Sequence, residues 1–467
     1  MNYKLPFLGM RLERLVKMMK RLTMALRPNR GWAWQLAAVV GMILVLALGL
    51  EGRQQPSAAA GTESYVQLRL LIEALYEIDD KYVTEKKERD LIYGAIRGMV
   101  SSLDANSSFL TPAEYQESLQ KTKSPEADAG LALSIRDNLL TVIAPLEGGP
   151  GWLAGIRADD HILKINNQST RNLTVLEAEK KLQGPAGTKV KLQILRTGLA
   201  KPQDVEVTLE RAAVDSLSYY YLEDGIHYLR LRTFKEKAAQ DLQQALRHIQ
   251  SGSEPRRGLI LDLRHTAGLQ LEEARRLASV FVGSDLIYVV KGRQNGGRQN
   301  VNGIREYQVV KERLPLIVLV DQGTAQAAEI LAGALQAQYG AVLMGYKTFG
   351  DCAIPKVFPL KDGSAIIVSV AYCYTPREQL IQGKGLEVDV AGPKKEGDDQ
   401  PLALAPPKVE KGRRLPDLNE IRQDPLVVQA MNKLKRGGRL GGGLSAPVVP
   451  LKKKQVAGSH PAPEEIS

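Results

Sequence analysis

The chain has 467 residues, 44% hydrophobic and 25% charged, which excludes a wholly disordered or fibrous protein and suffices for two or three domains with separate cores. Aromatic residues make up only 5%, too few for a base-stacking surface, so the net charge of +11 is not read as nucleic-acid binding. Residues 1–30 carry +7, residues 391–467 carry +5 and the stretch between them sums to −1, so the basic excess belongs to the two ends.

Residues 1–31 form a basic N-terminal stretch. From Trp32 to Leu50 there are nineteen residues without a charge, Gln35 being the one polar side chain. That length crosses a hydrocarbon core of roughly 30 Å as a helix. Arg11, Arg14, Lys17, Lys20, Arg21, Arg27 and Arg30 precede it, against Glu51 and Arg53 after it. The positive-inside rule therefore predicts a cytoplasmic N-terminus, a single span at 32–50 and a translocated remainder, the arrangement of a bacterial inner-membrane protein with a periplasmic or extracytoplasmic bulk. A cleaved signal peptide ending at Ala58-Ala59-Ala60 is the alternative. The long basic region, and the distance of the Ala triplet from the apolar run, favour a retained anchor.

Residues 51–64 read as a linker, and residues 65–125 as a helical segment, with Leu68, Leu71, Ile72, Leu75 and Ile78 at helical spacing. Residues 126–211 switch to short β-like runs, interrupted by helical stretches near Trp152–Ile156 and Thr174–Leu182. From 212 to 390 strands alternate with helices, which predicts right-handed crossovers and a core with a largely parallel sheet. A hairpin ends that core. Residues 391–467 are basic, rich in Pro and Lys and expected to be mostly disordered, with one possible docking helix at 425–434. The fold class expected is a multidomain α+β and α/β protein preceded by one transmembrane helix.

Gly130-Leu131-Ala132-Leu133 precedes a strand, and Gly149-Pro150, Ala154-Gly155-Ile156 and Asp159-Asp160 follow it. This run over 126–211 resembles a PDZ domain, although Asp159 stands where such modules usually have glycine. The resemblance implies that residues 130–133 aim backbone N–H groups at a peptide's terminal carboxylate, and that the peptide adds as an extra strand. A module that only spaces its neighbours is the plainer alternative.

From about Tyr65 to Val390 the chain resembles the C-terminal processing (tail-specific) peptidases. The likeness runs through Tyr93-Gly94-Ala95-Ile96-Arg97-Gly98-Met99, Leu103-Asp104, Gly258-Leu259-Ile260-Leu261-Asp262-Leu263-Arg264, Ala328-Glu329-Ile330 to Gly350, Asp362-Gly363-Ser364 and Tyr374-Thr375-Pro376. Such peptidases use a Ser–Lys dyad in which a neutral lysine takes the serine proton and backbone N–H groups hold the oxyanion. The phrase around the serine here reads Thr324-Ala325-Gln326-Ala327-Ala328-Glu329-Ile330, and that around the lysine Thr348-Phe349-Gly350-Asp351-Cys352. Gln326 thus occupies the serine position, Asp351 the lysine position and Pro355 that of a supporting glutamine. In the oxyanion loop, Arg264-His265-Thr266-Ala267-Gly268-Leu269-Gln270, the remnant is Gly268, and Leu269 replaces a second glycine.

The resemblance therefore implies a pseudoprotease that binds protein C-terminal tails through its PDZ domain, with a homodimer or a complex with an active relative as further partners. The alternative is an active serine-type peptidase with relocated catalytic residues, for which Cys352 with His265, Thr324 and Lys347 are the candidates. Gln326 at a helix start and Asp351 on a neighbouring strand are expected to hydrogen-bond, amide to carboxylate, near the positive end of the helix dipole. Asp362-Gly363 reads as a two-residue hairpin turn that sets Cys352 opposite Cys373 at a non-hydrogen-bonded site. A disulfide between these two cysteines and a pair of buried free thiols both remain open. The five histidines lack ligand spacing, so no metal or cofactor is expected.

Overall fold

A computed structural model describes residues 58–120, 127–211, 214–293, 297–310, 312–393 and 415–436, with side chains from Val66 onward. The expected anchor at Trp32–Leu50, the basic N-terminus and most of the C-terminal tail lie outside the described residues. Among the described residues no helix is long and apolar enough to cross a membrane.

The chain divides between Ile92 and Tyr93 into two units. In the first, α1 (Ala58–Lys81) begins inside the stretch expected to be linker. Ala58-Ala59-Ala60 are the best helix formers, and they run straight into the periodic pattern. Val66, Leu70, Ile72 and Tyr76 of α1 stand exposed. Helix α2 (Glu88–Ser101) spans the division. The segment expected to be helical throughout also holds strand β1 (Ser108–Leu110) before α3 (Pro112–Gln120).

The PDZ-like part opens with β2 (Ala127–Asp128), β3 (Leu131–Arg136), β4 (Leu139–Pro145), the short α4 (Pro150–Leu153), β5 (His161–Ile165) and β6 (Gln168–Ser169). It closes with α5 (Val175–Lys181), β7 (Gln183–Gly184), β8 (Lys189–Leu195) and β9 (Gln203–Thr208). The main sheet runs β3-β4-β5-β8-β9 around Val142, Ile156, Ile162 and Leu192, so among the described residues β3 is an edge strand, paired on one side only. Thr174 and Glu177 form a capping box that fixes the start of α5.

The core has two sheets. The first is assembled from β10 (Leu217–Glu223), β11 (Ile226–Leu231), β12 (Gly258–Asp262), β15 (Leu316–Val320), β16 (Val342–Gly345) and β19 (Val390–Ala391), neighbours in that order. It is parallel at the four pairings from β11 to β19 and antiparallel at β10. Strands β12, β15 and β16 are buried at every residue, as their unbroken apolar runs require. Helices α6 (Ala238–Ser251), α7 (Leu271–Val282) and α8 (Ala327–Ala334) bury Leu229, Leu261 and Val318 on one face.

The second sheet joins β1, β13 (Leu286–Gly292), β14 (Arg298–Asn302), β17 (Ala353–Pro359) and β18 (Ala365–Tyr374), and every pairing in it is antiparallel. The expectation of a largely parallel sheet is therefore corrected for the core as a whole. The pairs β13–β14 and β17–β18 are joined by short local connections, which permit only antiparallel pairing.

The β17–β18 hairpin turns through five residues, Leu360 to Ser364, rather than two. Pro359 pairs with Ala365, one step out of the expected register, and a bulge between Ile354 and Pro355 restores it. Cys352 and Cys373 therefore do face each other and are joined by a disulfide, with Cα atoms 5.4 Å apart. The Cys373 N–H donates to the Cys352 carbonyl at 2.9 Å, so the site is a hydrogen-bonded one, contrary to expectation. The bulge, placed where Pro355 has no N–H to donate, shifts the phase.

Residues 425–434 do form a docking helix, α10 (Pro425–Lys435), and α9 (Leu418–Gln423) precedes it unanticipated. Val427, Ala430 and Leu434 pack on the face of the first sheet opposite α6–α8, against Tyr228, Ile260 and Ile317. Asp424 caps α10 and pairs with Arg264 at 2.9 Å.

Candidate functional site: a cleft filled by its own side chains

Strand β15 ends at Val320 and the chain turns sharply into α8. Asp321 holds the turn, its Oδ1 accepting the Gly323 N–H at 3.0 Å and the His265 N–H at 2.9 Å. Thr324 is fully buried and its hydroxyl donates to the Leu263 carbonyl at 2.9 Å. Gln326 then adopts φ +58°, a region that favours glycine.

Three contacts over-determine this strained residue. Its N–H donates to Glu329 Oε2 at 3.0 Å, and its Nε2 donates to Asp351 Oδ2 at 3.1 Å. The Ala327 N–H that follows it donates to the Gly268 carbonyl at 2.9 Å. The expected amide–carboxylate pair is thus in place, with Asp351 in the loop just before β17 rather than on a strand. Asn106, just ahead of β1, donates its Nδ2 to the other carboxylate oxygen of Asp351 at 3.0 Å.

Behind this pair lies Glu329, wholly buried. It accepts the Gln326 N–H, the Thr348 hydroxyl at 2.5 Å, the Gly350 N–H at 2.8 Å and the Asp351 N–H at 3.1 Å. Burial raises its carboxyl to about 7, although the four donors pull the other way. Glu329 thereby ties the start of α8 to the 348–351 loop. At Gly350, φ is +88° and a Cβ would stand 2.6 Å from the Gly385 nitrogen, so the loop admits only glycine there.

Asn106, Leu269, Gln326, Asp351 and Pro355 line one cavity of about 370 Å³, together with Val175 and Leu176 of α5. A second cavity, of about 580 Å³, lies between the PDZ-like part and the core. Gly130, Leu131, Ala132 and Leu133 line it on one side, Arg232–Glu236 and Gly268 on the other. Gly130 has φ +64°, and its carbonyl accepts the Leu146 N–H at 2.7 Å.

The other expected catalytic candidates are elsewhere engaged. Cys352 is in the disulfide and has no thiol. Lys347 pairs with Glu387, its side chain 55% exposed. His265 Nδ1 lies 3.0 Å from Asp321 Oδ2, off the line of a hydrogen bond. Among the described residues no His/Cys/Asp/Glu group has the geometry of a metal site.

Sequence reading did not single out Asn106, Glu329, Thr348 or the clamp between the two parts. In that clamp Arg230 Nε donates to Glu147 Oε2 at 2.6 Å, and both side chains are buried. Burial pushes the Glu147 carboxyl up, but Arg230 and Arg232 outweigh it and hold the group below its usual range. Arg136 of β3 adds a second link, lying 3.9 Å from the Phe349 ring centroid and donating to the Phe349 carbonyl at 3.0 Å. The spacing of Gln326 and Glu329 is that of a capping box, a signal open to sequence reading. Asn106 gives no such signal, being brought in from 245 positions away.

A model of peptidase family S41 matches residues 225–391, and one of the PDZ domain matches residues 141–196. The chain is similar to the carboxy-terminal-processing protease of Bartonella bacilliformis, at 32% identity over 70% of this chain and 75% of the relative. It is equally similar to the carboxyl-terminal-processing protease of Synechocystis sp., at 32% identity over 78% of this chain and 88% of the relative. Among solved structures, a photosystem II D1 C-terminal processing protease superposes with a TM-score of 0.58 at 26% identity, over 68% of this chain and 85% of that one.

Proposed function

Since this chain belongs to the carboxy-terminal-processing protease family, with a PDZ domain and a family S41 core, its function turns on what its own cleft can do, and we propose that it captures protein C-terminal tails without cutting them. The observation that carries this reading is the bond from the Gln326 amide to the Asp351 carboxylate, at the positions where the family motif has serine and lysine. An amide is no nucleophile, and a carboxylate held by two amides is no substitute for a neutral lysine. The N–H that follows Gln326 is spent on the Gly268 carbonyl, so it does not point at a developing oxyanion. Against relocated chemistry stand the disulfide at Cys352 and the buried, bonded hydroxyl of Thr324.

Support for tail capture comes from the PDZ part. Strand β3 is a sheet edge beside α5, and Gly130–Leu133 line the cavity at its start. A tail adding there is held by main-chain bonds, which need no particular catalytic side chain. The reading includes an anchor at Trp32–Leu50 with the bulk extracytoplasmic, where an oxidising compartment suits the Cys352–Cys373 bond. A homodimer or a complex with an active relative belongs to the same reading, since a silent member can hold substrates for a partner that cuts.

The test is incubation of the full chain with peptides bearing free or amidated C-termini, scored for retention and by mass spectrometry for cleavage. Retention of free-carboxylate peptides with no new fragments is expected. Fragments that depend on the protein, and persist in a Gln326→Ala variant, would establish chemistry elsewhere in the chain and sink the proposal.

A further inference from the structure

Asp351 differs from the other buried carboxylates in what neutralises it. Asp160 meets Arg196 at 2.6 Å, Glu147 meets Arg230, Asp262 meets Arg264 at 2.6 Å and Glu273 meets Arg276 at 3.2 Å. Asp321 and Glu329 lack a guanidinium but collect backbone N–H donors. Asp351 is 3% exposed, and its carboxylate is held by two neutral side-chain amides, one on each oxygen. Among the described residues no cationic side chain pairs with it. Each carboxylate oxygen has a second acceptor site, and this carboxylate lines a cavity of about 370 Å³.

The rest of that cavity has a matching chemistry. Val175, Leu176, Leu269 and Leu271 supply apolar walls. Apolar walls over a buried carboxylate fit a long side chain with a methylene stem and a cationic end. The cavity also borders the one that holds Gly130–Leu133, for Glu179 and the Gly268–Leu271 loop line both. A tail seated on β3 has its upstream residues on hand to reach it.

We propose that the cavity over Asp351 receives the lysine or arginine side chain of a captured tail, so that this protein selects tails carrying a basic residue upstream of the terminal carboxylate. The inference rests on the tail-capture reading and adds the specificity of the former catalytic cleft. The ammonium or guanidinium donates to the open acceptor sites of Asp351, and the stem packs on Leu269 and Leu176. No bond is made or broken.

The experiment uses the full chain and fluorescently labelled peptides sharing one apolar, free C-terminus. A single lysine is walked upstream along the peptide, and each lysine peptide has a norleucine counterpart with the same stem and no charge. At one register the lysine peptide should bind about tenfold tighter than its counterpart, the worth of a charged hydrogen bond. Arginine should keep that advantage. In Asp351→Asn the advantage of lysine over norleucine at that register should vanish. Equal binding of lysine and norleucine peptides at every register would overturn the inference and leave tail capture standing. The peptide comparison needs no variant, so it decides the matter even if Asp351→Asn fails to fold. Failure of all free-carboxylate peptides to bind would instead remove the reading beneath it.

Discussion

The cavities on either side of the Gly268–Leu271 loop are built to opposite effect. At Gly130–Leu133 the feature that matters is backbone: among the described residues β3 is a sheet edge, and its start lines a cavity of about 580 Å³. At Gln326 and Asp351 the backbone is sealed, with the Ala327 N–H given to Gly268 and the two side chains given to each other. Peptide addition to an edge strand asks only for small residues and an open ladder, whereas dyad catalysis asks for two particular side chains and a free N–H. A chain can therefore keep a site of the first kind while its residues no longer suit the second, which is the reading proposed for this one.

The largest expected effect concerns the link between the two regions. Glu147 and Arg230 form a buried ion pair between the PDZ domain and the core, and Arg230 Nη1 also donates to the Leu231 carbonyl at 2.8 Å. Removing one member strands a buried charge, at a cost of about 3–5 kcal/mol. Glu147→Ala should lower the urea midpoint accordingly and weaken tail binding with it. A loss below about 1 kcal/mol, within the range of exposed pairs, would mean that the two regions are held by something else.

A somewhat smaller effect tests the sealed cleft. Glu329 is raised in the folded chain from 4.5 to about 7, so the folded state holds its proton more tightly than the unfolded one. Its contribution to stability is then fully present below pH 4.5 and is lost as pH rises to about 7, a fall of about 3 kcal/mol, levelling off above that. Urea unfolding of the wild type relative to Glu329→Gln, followed from pH 4.5 to 8, should show that decline. A flat difference across the window would place the carboxyl's titration elsewhere and loosen the claim that burial governs Glu329 behind the cleft.

How much of this was legible in sequence depends on whether a feature was local. The alternation of apolar runs and helical periods marked the strands of the first sheet, and the family-like phrases at 324–330 and 348–352 pointed to Gln326 and Asp351. Their hydrogen bond followed from chemistry and spacing. Less was legible where one residue decides a phase. Asp362-Gly363 promised a tight turn, yet the five-residue loop and the bulge at Pro355 set the register, and the cysteines met at the other type of site. The β17–β18 hairpin was expected, but its extension into a larger antiparallel sheet escaped, because β1 and β13 reach β18 from distant parts of the chain. The Asn106 bond to Asp351 and the Gly268 carbonyl turned onto Ala327 are products of tertiary packing alone.

That last contact leads to the smallest expected effect, an absence of change. If side chains were the whole difference between this cleft and an active one, Gln326→Ser with Asp351→Lys would restore cleavage. We expect that pair of substitutions to give no cleavage. The Ala327 N–H is already bonded to the Gly268 carbonyl, and Leu269 follows that glycine at a position where the resemblance implies a second glycine. A serine and lysine would then face a carbonyl oxygen where a tetrahedral intermediate needs a donor, and the loss of one such donor alone costs about a hundredfold or more in rate. Adding Leu269→Gly frees the loop to turn, so the triple variant should cut free-carboxylate peptides slowly while the double variant does not. Peptide retention should be the same in the wild type and the double variant for tails without a basic residue, because the PDZ groove is unaltered. Cleavage by the double variant at the rate of the triple would show that the backbone at Gly268 moves freely, and that the proposed loss of activity resides in Gln326 and Asp351 alone.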